Sequence, residues 1–205
     1  MRIIIVAGSK HHTFYQYQKH HDDFYIGIED GAYEIIKHGY KLDVAIGDFD
    51  TTTHYDEICA KASNLIKYPK EKDEIDLELA LMYILKNYLD NEIYIYNATQ
   101  GRIDHELITI KLLVKYSNLN IHLINDSEEV IYLTNDYTIS TPNIRFSLIP
   151  FSNCSLEISG AKYNLSKTDL SSEDSDDDFD LDELMDSMEF DDTDDPIDDD
   201  IDIDI

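Results

Sequence analysis

Short solid apolar runs alternate with stretches of helical spacing over the first half of the chain. Ile3–Ala7 is a run of five apolar residues ending on Gly8-Ser9, which predicts a buried first strand. "FYIGIEDG" predicts a second strand ending at Glu29-Asp30-Gly31, and "AYEIIKHG" a short helix stopped by Gly39. "LDVAIGDFD" reads as a third strand that ends on two acids. Residues 71–89 carry Ile75, Leu79, Met82 and Leu85 at helical spacing. "NEIYIYNATQG" is a strand followed by a turn, and "DHELITIKLLVKY" a helix with Leu107, Ile110, Leu113 and Val114 on one face. This alternation predicts an α/β fold with a doubly wound, mostly parallel sheet.

The pattern changes near residues 117–120. "NIHLIND", "EEVIYLTND", "YTIST", "IRFSLIPF" and "CSLEISGAKYNL" are short, rich in β-branched residues and separated by Asn, Asp, Pro and Gly, with no long helical pattern between them. They predict a small all-β sandwich domain with hairpin connections. The expected division is an α/β catalytic domain over 1–118, the sandwich over 119–168, and a third segment over 169–205.

Charge sets that third segment apart. The formal net charge is −28, but residues 169–205 hold 20 of the 44 acids and no Lys or Arg. The remainder has 24 acids against 16 bases, a net of −8. A tail of this composition predicts disorder, because its acids repel one another and it has little to bury. Two pieces stand out in it. "DLDELMDSM" spaces Leu181, Leu184, Met185 and Met188 as a helical stripe, with Asp180 as cap and Glu183 three residues on. "IDIDI" at 201–205 has a period of two and would suit an open sheet edge, with its isoleucines facing inward. The long acidic connection and its loop-closure cost favour an appendage over that strand.

No Lys/Arg cluster is present to displace counterions, so nucleic acid is not an expected partner. The opening apolar run is too short for a signal peptide or a membrane span. Cys59 and Cys154 are isolated thiols that fit a reducing compartment, and the expected location is the cytoplasm. The doublets His11-His12 and His20-His21 flank a polar, aromatic-rich stretch and read as solvated.

Candidate chemistry gathers where strands end, which is where open α/β sheets bind ligands. Glu29-Asp30, Asp48/Asp50, Asp73/Asp76 and the "NATQGRIDH" turn all fall at such places. In extended backbone Asp48 and Asp50 would point to one side, with Phe49 turned into packing, and two hard carboxylates converging suit Mg²⁺. Asp73 and Asp76, at i and i+3 near a helix start, would share a face, although acids in a first helical turn are also favoured by the dipole alone. Lys72 beside them is placed to meet a phosphate or, equally, solvent. Gly101 leading into a helix exposes backbone N–H groups to an anion, with Arg102 and His105 in reach and Asp104 as orienter or cap.

The quoted motifs "GIEDGA", "GDFDT", "KDEIDLELAL", "ATQGRIDHELITI", "SLIPF" and "GAKYNL" occur in the order found in the thiamine pyrophosphokinases, and the chain resembles that family over nearly all of residues 1–166. The resemblance implies an α/β domain followed by a β-sandwich, a homodimer, and transfer of pyrophosphate from ATP to the thiamine hydroxyl, giving thiamine diphosphate and AMP. It assigns the catalytic acids to Asp48, Asp50, Asp73 and Asp76, and Mg²⁺ to Glu29, Asp48, Asp50 and Asp76. ATP would fall to Lys72, Thr99, Gln100, Gly101, Arg102, Asp104 and His105, and the second substrate to Ser147 and Ile149. The chain departs from the family pattern at Glu29, one methylene longer than the usual Asp, at Ile75 in place of Thr, and at Gln100 in place of Gly. It also lacks the Ser-x-Ser-Asn element expected after Leu165, where "SKTDLSSEDSDDD" follows instead. Two alternatives stay open: a nucleotide-binding protein that has lost its thiamine pocket, and an interaction module working through the acidic tail.

Overall fold

The computed structural model describes residues 1–9, 13–99, 101–141, 144–171, 188–190 and 201–205, the last two stretches partly by backbone alone. It divides into two compact units, Met1–Tyr132 and Leu133–Ile205.

The first unit is built on a seven-stranded sheet. Its strands are β1 (Arg2–Val6), β2 (Asp23–Ile28), β3 (Val44–Gly47), β4 (Asn64–Lys67), β5 (Glu92–Tyr96), β6 (Asn120–Ile124) and β7 (Glu129–Ile131). They lie in the order β4-β3-β2-β1-β5-β6-β7, all parallel except β7, which runs antiparallel to β6. The helices are α1 (Asp30–Lys37), α2 (Tyr55–Lys61), α3 (Asp76–Asn87) and α4 (Ile103–Lys115).

Parallel strands covered on both faces must be apolar on both, and that is why β1 reads as a solid run. Ile3 and Ile5 pack with Leu77, Leu81 and Ile84 of α3 and Leu112 and Leu113 of α4. Ile4 and Val6 face the other way, toward Ala32 and Ile35 of α1, Ile58 of α2, and Phe14 and Tyr17. The helix α1 lies so close to β1 that a Cβ on Gly31 would stand 2.0 Å from the Val6 carbonyl oxygen. The chain winds outward from β1 to β4, then resumes at β5 on the other side of β1. The β1/β5 junction is therefore the topological switch point, where doubly wound folds place their ligands.

The predicted boundary near 118 is corrected to residue 132. The stretch "NIHLI" is β6, paired parallel to β5 with α4 as the crossover, and Ile121, His122 and Leu123 are buried in it. A β-branched run looks the same in a parallel and an antiparallel strand, so composition alone misplaced it. The turn that follows is held by Asn125, whose Oδ1 accepts from the N–H groups of Ser127 and Glu128. The reading also passed over α2 and the edge strand β4, which are short; β4 is exposed at both ends.

The second unit is all-β, as expected, and its strands form one five-stranded antiparallel sheet. These are β8 (Tyr137–Ile139), β9 (Cys154–Ser159), β10 (Tyr163–Leu170), β11 (Met188–Phe190) and β12 (Ile201–Asp204), in the order β11-β10-β9-β12-β8. The pairing of β10 with β9 shifts register between Leu165 and Thr168. The core is small: Leu156, Leu165 and Ile203, with Ile139, Phe146, Leu148, Ile158 and Leu170 against them. The expected strand "IRFSLIPF" has no regular structure over 144–150, yet its Phe146 and Leu148 reach this core.

The acidic segment is corrected more sharply. "IDIDI" is β12, and it lies inside the sheet between β9 and β8 rather than at an edge. Ile203 is only 2% exposed. Met188, which ended the predicted helical stripe, begins β11; Asp180, Leu181, Glu183, Leu184 and Met185 lie outside the described residues.

Candidate active site

Four chain segments meet above the C-terminal ends of the central strands and enclose a cleft of about 720 Å³. Ala7–Ser9 follow β1, Glu29 follows β2, and Asn97–Thr99, Gly101 and Arg102 follow β5. Lys70, Lys72, Glu74 and Asp76 line it from the approach to α3, and His105 and Thr109 from α4.

Glu29 is the most constrained of these. Its backbone takes φ 52° and ψ −126°, a conformation L-residues rarely adopt and one that functional sites often hold under strain. Its Oε1 accepts the Phe49 N–H at 2.9 Å. Gly47 makes room for it, since a Cβ there would come within 1.9 Å of that same oxygen. Its Oε2 is buried with no hydrogen-bond partner among the described residues. Burial raises the Glu29 carboxyl above the usual range, and the Phe49 N–H opposes that rise.

The acids after β3 do not sit as alternation predicts. Phe49 has φ 56°, so the backbone turns there instead of staying extended, and Asp48 Oδ1 accepts the Asp50 N–H at 3.0 Å. The two carboxyl groups nevertheless stay within reach of one another across this turn. Asp50 pairs with Lys70, which holds its carboxyl below the usual range. Asp48 Oδ2 lies 3.8 Å from the Lys72 ammonium. Phe49 does turn into packing and is buried against Tyr55.

The second acidic pair does part. Helix α3 begins at Asp76 with Ile75 as its cap, so Asp73 precedes the helix, is exposed, and does not share its face. Asp76 remains. Its Oδ1 is buried, makes no aligned hydrogen bond, and has the Lys72 ammonium 3.0 Å away as a charge contact. Lys72 is thus a hub between Asp48 and Asp76, with its side chain only 13% exposed. Among the described residues, no three of the His, Cys, Asp and Glu side chains are gathered closely enough to hold a metal by themselves.

On the opposite wall, Arg102 is the N-cap residue of α4 and makes no side-chain cap, which leaves the first N–H groups of the helix unpaired by it. Its guanidinium forks onto Asp104, with Nε donating to Oδ1 at 3.1 Å. That contact raises the arginine and lowers the aspartate, as an orienting pair does. Thr99 is buried, and its Oγ1 has no partner among the described residues. Gln100 lies outside the described residues. Ser147 and Ile149 belong to the second unit, where both are exposed, alternating with the inward Phe146 and Leu148. His20 and His21 are exposed, as expected, while His11 and His12 lie outside the described residues.

One residue escaped the sequence reading. Asn97 is buried with φ 61°, and its Oδ1 accepts from the Thr13 N–H at 2.6 Å and the Phe14 N–H at 3.0 Å. Its own N–H donates to Thr13 Oγ1 at 3.0 Å. Asn97 therefore ties the segment after β1 to the end of β5, across the switch point. The only sequence signal was an Asn at a strand end, the residue type that best tolerates a left-handed backbone after Gly.

Comparison with known proteins supplies the family. A family model described as "Thiamin pyrophosphokinase, catalytic domain" matches residues 15–124. The thiamine pyrophosphokinase of Bacillus subtilis (strain 168) is 34% identical over 174 residues, covering 80% of this chain and 81% of that protein. The crystal structure of a Bacillus subtilis thiamine pyrophosphokinase superposes with a TM-score of 0.76 at 28% identity, over 100% of this chain and 94% of that one. The Geobacillus thermodenitrificans enzyme of the same name gives 0.69 at 26% identity, over 83% of each chain.

Proposed function

Because the chain belongs to the thiamine pyrophosphokinase family, we propose that its cleft binds ATP and that the protein transfers the terminal pyrophosphoryl group to the hydroxyl of thiamine, giving thiamine diphosphate and AMP. The observation that carries this reading is the meeting of two unlike walls in one cleft. One wall holds the oxygens of Glu29 and Asp76 around Lys72, and the other holds the start of α4 with Arg102 and His105. A homodimer, as the family resemblance implies, and a cytoplasmic location, as the isolated thiols suggest, are carried with the same proposal.

The reaction makes one O–P bond and breaks another. The thiamine hydroxyl oxygen attacks the β-phosphorus, the bond from that phosphorus to the bridging oxygen of AMP breaks, and the hydroxyl proton passes to a carboxylate or to water. Such transfers depend on positioning and on screening of phosphate charge more than on covalent help. Arg102, fixed by Asp104, offers a planar fork of donors to phosphate oxygens. The start of α4 lines the same cleft, so its first N–H groups add the positive end of the helix dipole there. His105 sits in that first turn and lines the cleft beside them.

The donors present fit Mg²⁺. Glu29 Oε2 is a buried, unpartnered hard oxygen, Asp76 Oδ1 is buried with only an ammonium beside it, and Asp48 reaches the same ammonium. Glu29, Asp48 and Asp76, drawn closer together than they stand here, are the residues that would hold the ion. When bound, it supplies screening of the charge that develops on the phosphates. Asp50, beside Asp48 and paired with Lys70, is the next carboxylate in reach, and Asp73, exposed ahead of α3, keeps at most an outer role in the proposal.

An Arg102→Ala variant tests the phosphate wall. Its KM for ATP should rise by about tenfold or more, as expected for loss of a charge-assisted, forked contact, while its KM for thiamine stays near that of the parent protein. Steady-state kinetics with each substrate varied in turn would show it. A change confined to the thiamine KM would contradict the assignment.

A further inference from the structure

Lys72 lies between two of the carboxylates proposed to take the cation. Its ammonium lies 3.0 Å from Asp76 Oδ1 and 3.8 Å from Asp48 Oδ2. Asp76 Oδ1 is buried, so solvent does not reach that oxygen while Lys72 is in position. An ion at bonding distance from both carboxylates and the ammonium at its present place exclude one another, by volume and by like charge. Lys72 also lines the cleft with Arg102 and His105, on a flexible four-carbon stem that can turn toward an anion there.

We propose that Lys72 is an internal cation that holds Asp48 and Asp76 together in the ligand-free protein, competes with the divalent ion for them, and moves onto the polyphosphate when ion and nucleotide arrive together. The proposal rests on the reading that these carboxylates take a divalent ion. It makes Lys72 a positioning residue with two opposite effects. Alone, it weakens ion binding; with nucleotide present, it strengthens nucleotide binding. It also accounts for a cluster of buried carboxylate oxygens that is stable without a metal, because one ammonium offsets part of their repulsion.

The test uses the full chain and Mn²⁺ as probe, without nucleotide, with free Mn²⁺ read by electron paramagnetic resonance. Lys72→Met should bind Mn²⁺ about tenfold more tightly than the parent protein, since one competing charge at close range is gone. Lys72→Arg keeps the charge and should stay within about twofold of the parent. Lys72→Met should at the same time raise the KM for ATP. Unchanged or weaker Mn²⁺ binding in Lys72→Met, with Asp76→Asn losing the ion, would overturn the competition while leaving the cation site standing. Mn²⁺ binding by Asp76→Asn equal to that of the parent would remove the cation site itself, and the proposal with it. Circular dichroism of each variant identifies any change that is only loss of fold.

Discussion

Deleting Ile201–Ile205 is expected to unfold the second unit while leaving the first intact. In that sheet β12 is the partner of both β9 and β8, with Ile203 opposite Ile158 on one side and Tyr137 on the other. Without it, β8 has no partner among the described strands and β9 is left with an open edge. Among the described residues Ile203 is one of three buried apolar residues in this core, so its loss removes a large part of that packing. The single change Ile203→Ala should already cost about 2–5 kcal/mol, the usual range for truncating a buried isoleucine. That is a large share of what a unit this small can hold. Amide exchange over residues 154–170 should become fast in the deletion protein, while β1 and β5 remain protected. Retained slow exchange in β9 and β10 would show that β12 is dispensable.

Asp48→Asn and Asp76→Asn should each lower turnover by about a hundredfold or more, the order expected for losing one carboxylate of a metal–phosphate site. Neither change should unfold the protein. Asp76 opens α3, and its favourable interaction with the helix dipole is worth at most about 2 kcal/mol at such a partly buried place. Its other contact is with Lys72, whose ammonium keeps Asp48 as a neighbour. Asp56→Asn, at an exposed acid in the first turn of α2, serves as the control and should leave turnover unchanged. Turnover near that of the parent protein in either site variant at limiting Mg²⁺ would contradict the assignment, and so would an equal loss in the control.

The architecture was legible in the sequence because strands buried on both faces write themselves as solid apolar runs, and β1, β2, β3 and β5 all do. What composition left out was partnership. "NIHLI" and "IDIDI" are both short and β-branched, but one joins a parallel sheet through a helical crossover and the other returns from far along the chain to the middle of a second sheet. The appendage reading of "IDIDI" gave too much weight to loop closure, whose cost grows only with the logarithm of loop length, about 0.6 kcal/mol per doubling. The period of two was the better guide, and it places Ile203 in the core.

The candidate site was legible as a set of residues and not as a geometry. Glu29, Lys72, Asp76, Thr99, Gly101, Arg102 and His105 do line one cleft. Treating "DFD" as extended backbone brought Asp48 and Asp50 together by alternation, whereas it is a left-handed turn at Phe49 that keeps them near one another. Treating Asp73 as helical brought it beside Asp76, and the helix begins three residues too late for that. Both departures lie at element ends, where one dihedral angle redirects the chain. Asn97 and the Lys72 hub depend on contacts across the fold that no local pattern contains.

The central claim is that this cleft transfers pyrophosphate from ATP to thiamine, and product analysis tests it most directly. The full chain is incubated with Mg²⁺, thiamine and ATP labelled at the β-phosphate, and the products are separated by chromatography. The account predicts thiamine diphosphate carrying the label and AMP in equal amounts, both abolished by Asp76→Asn. Thiamine monophosphate with ADP, or ATP consumed without any labelled thiamine product, would contradict it.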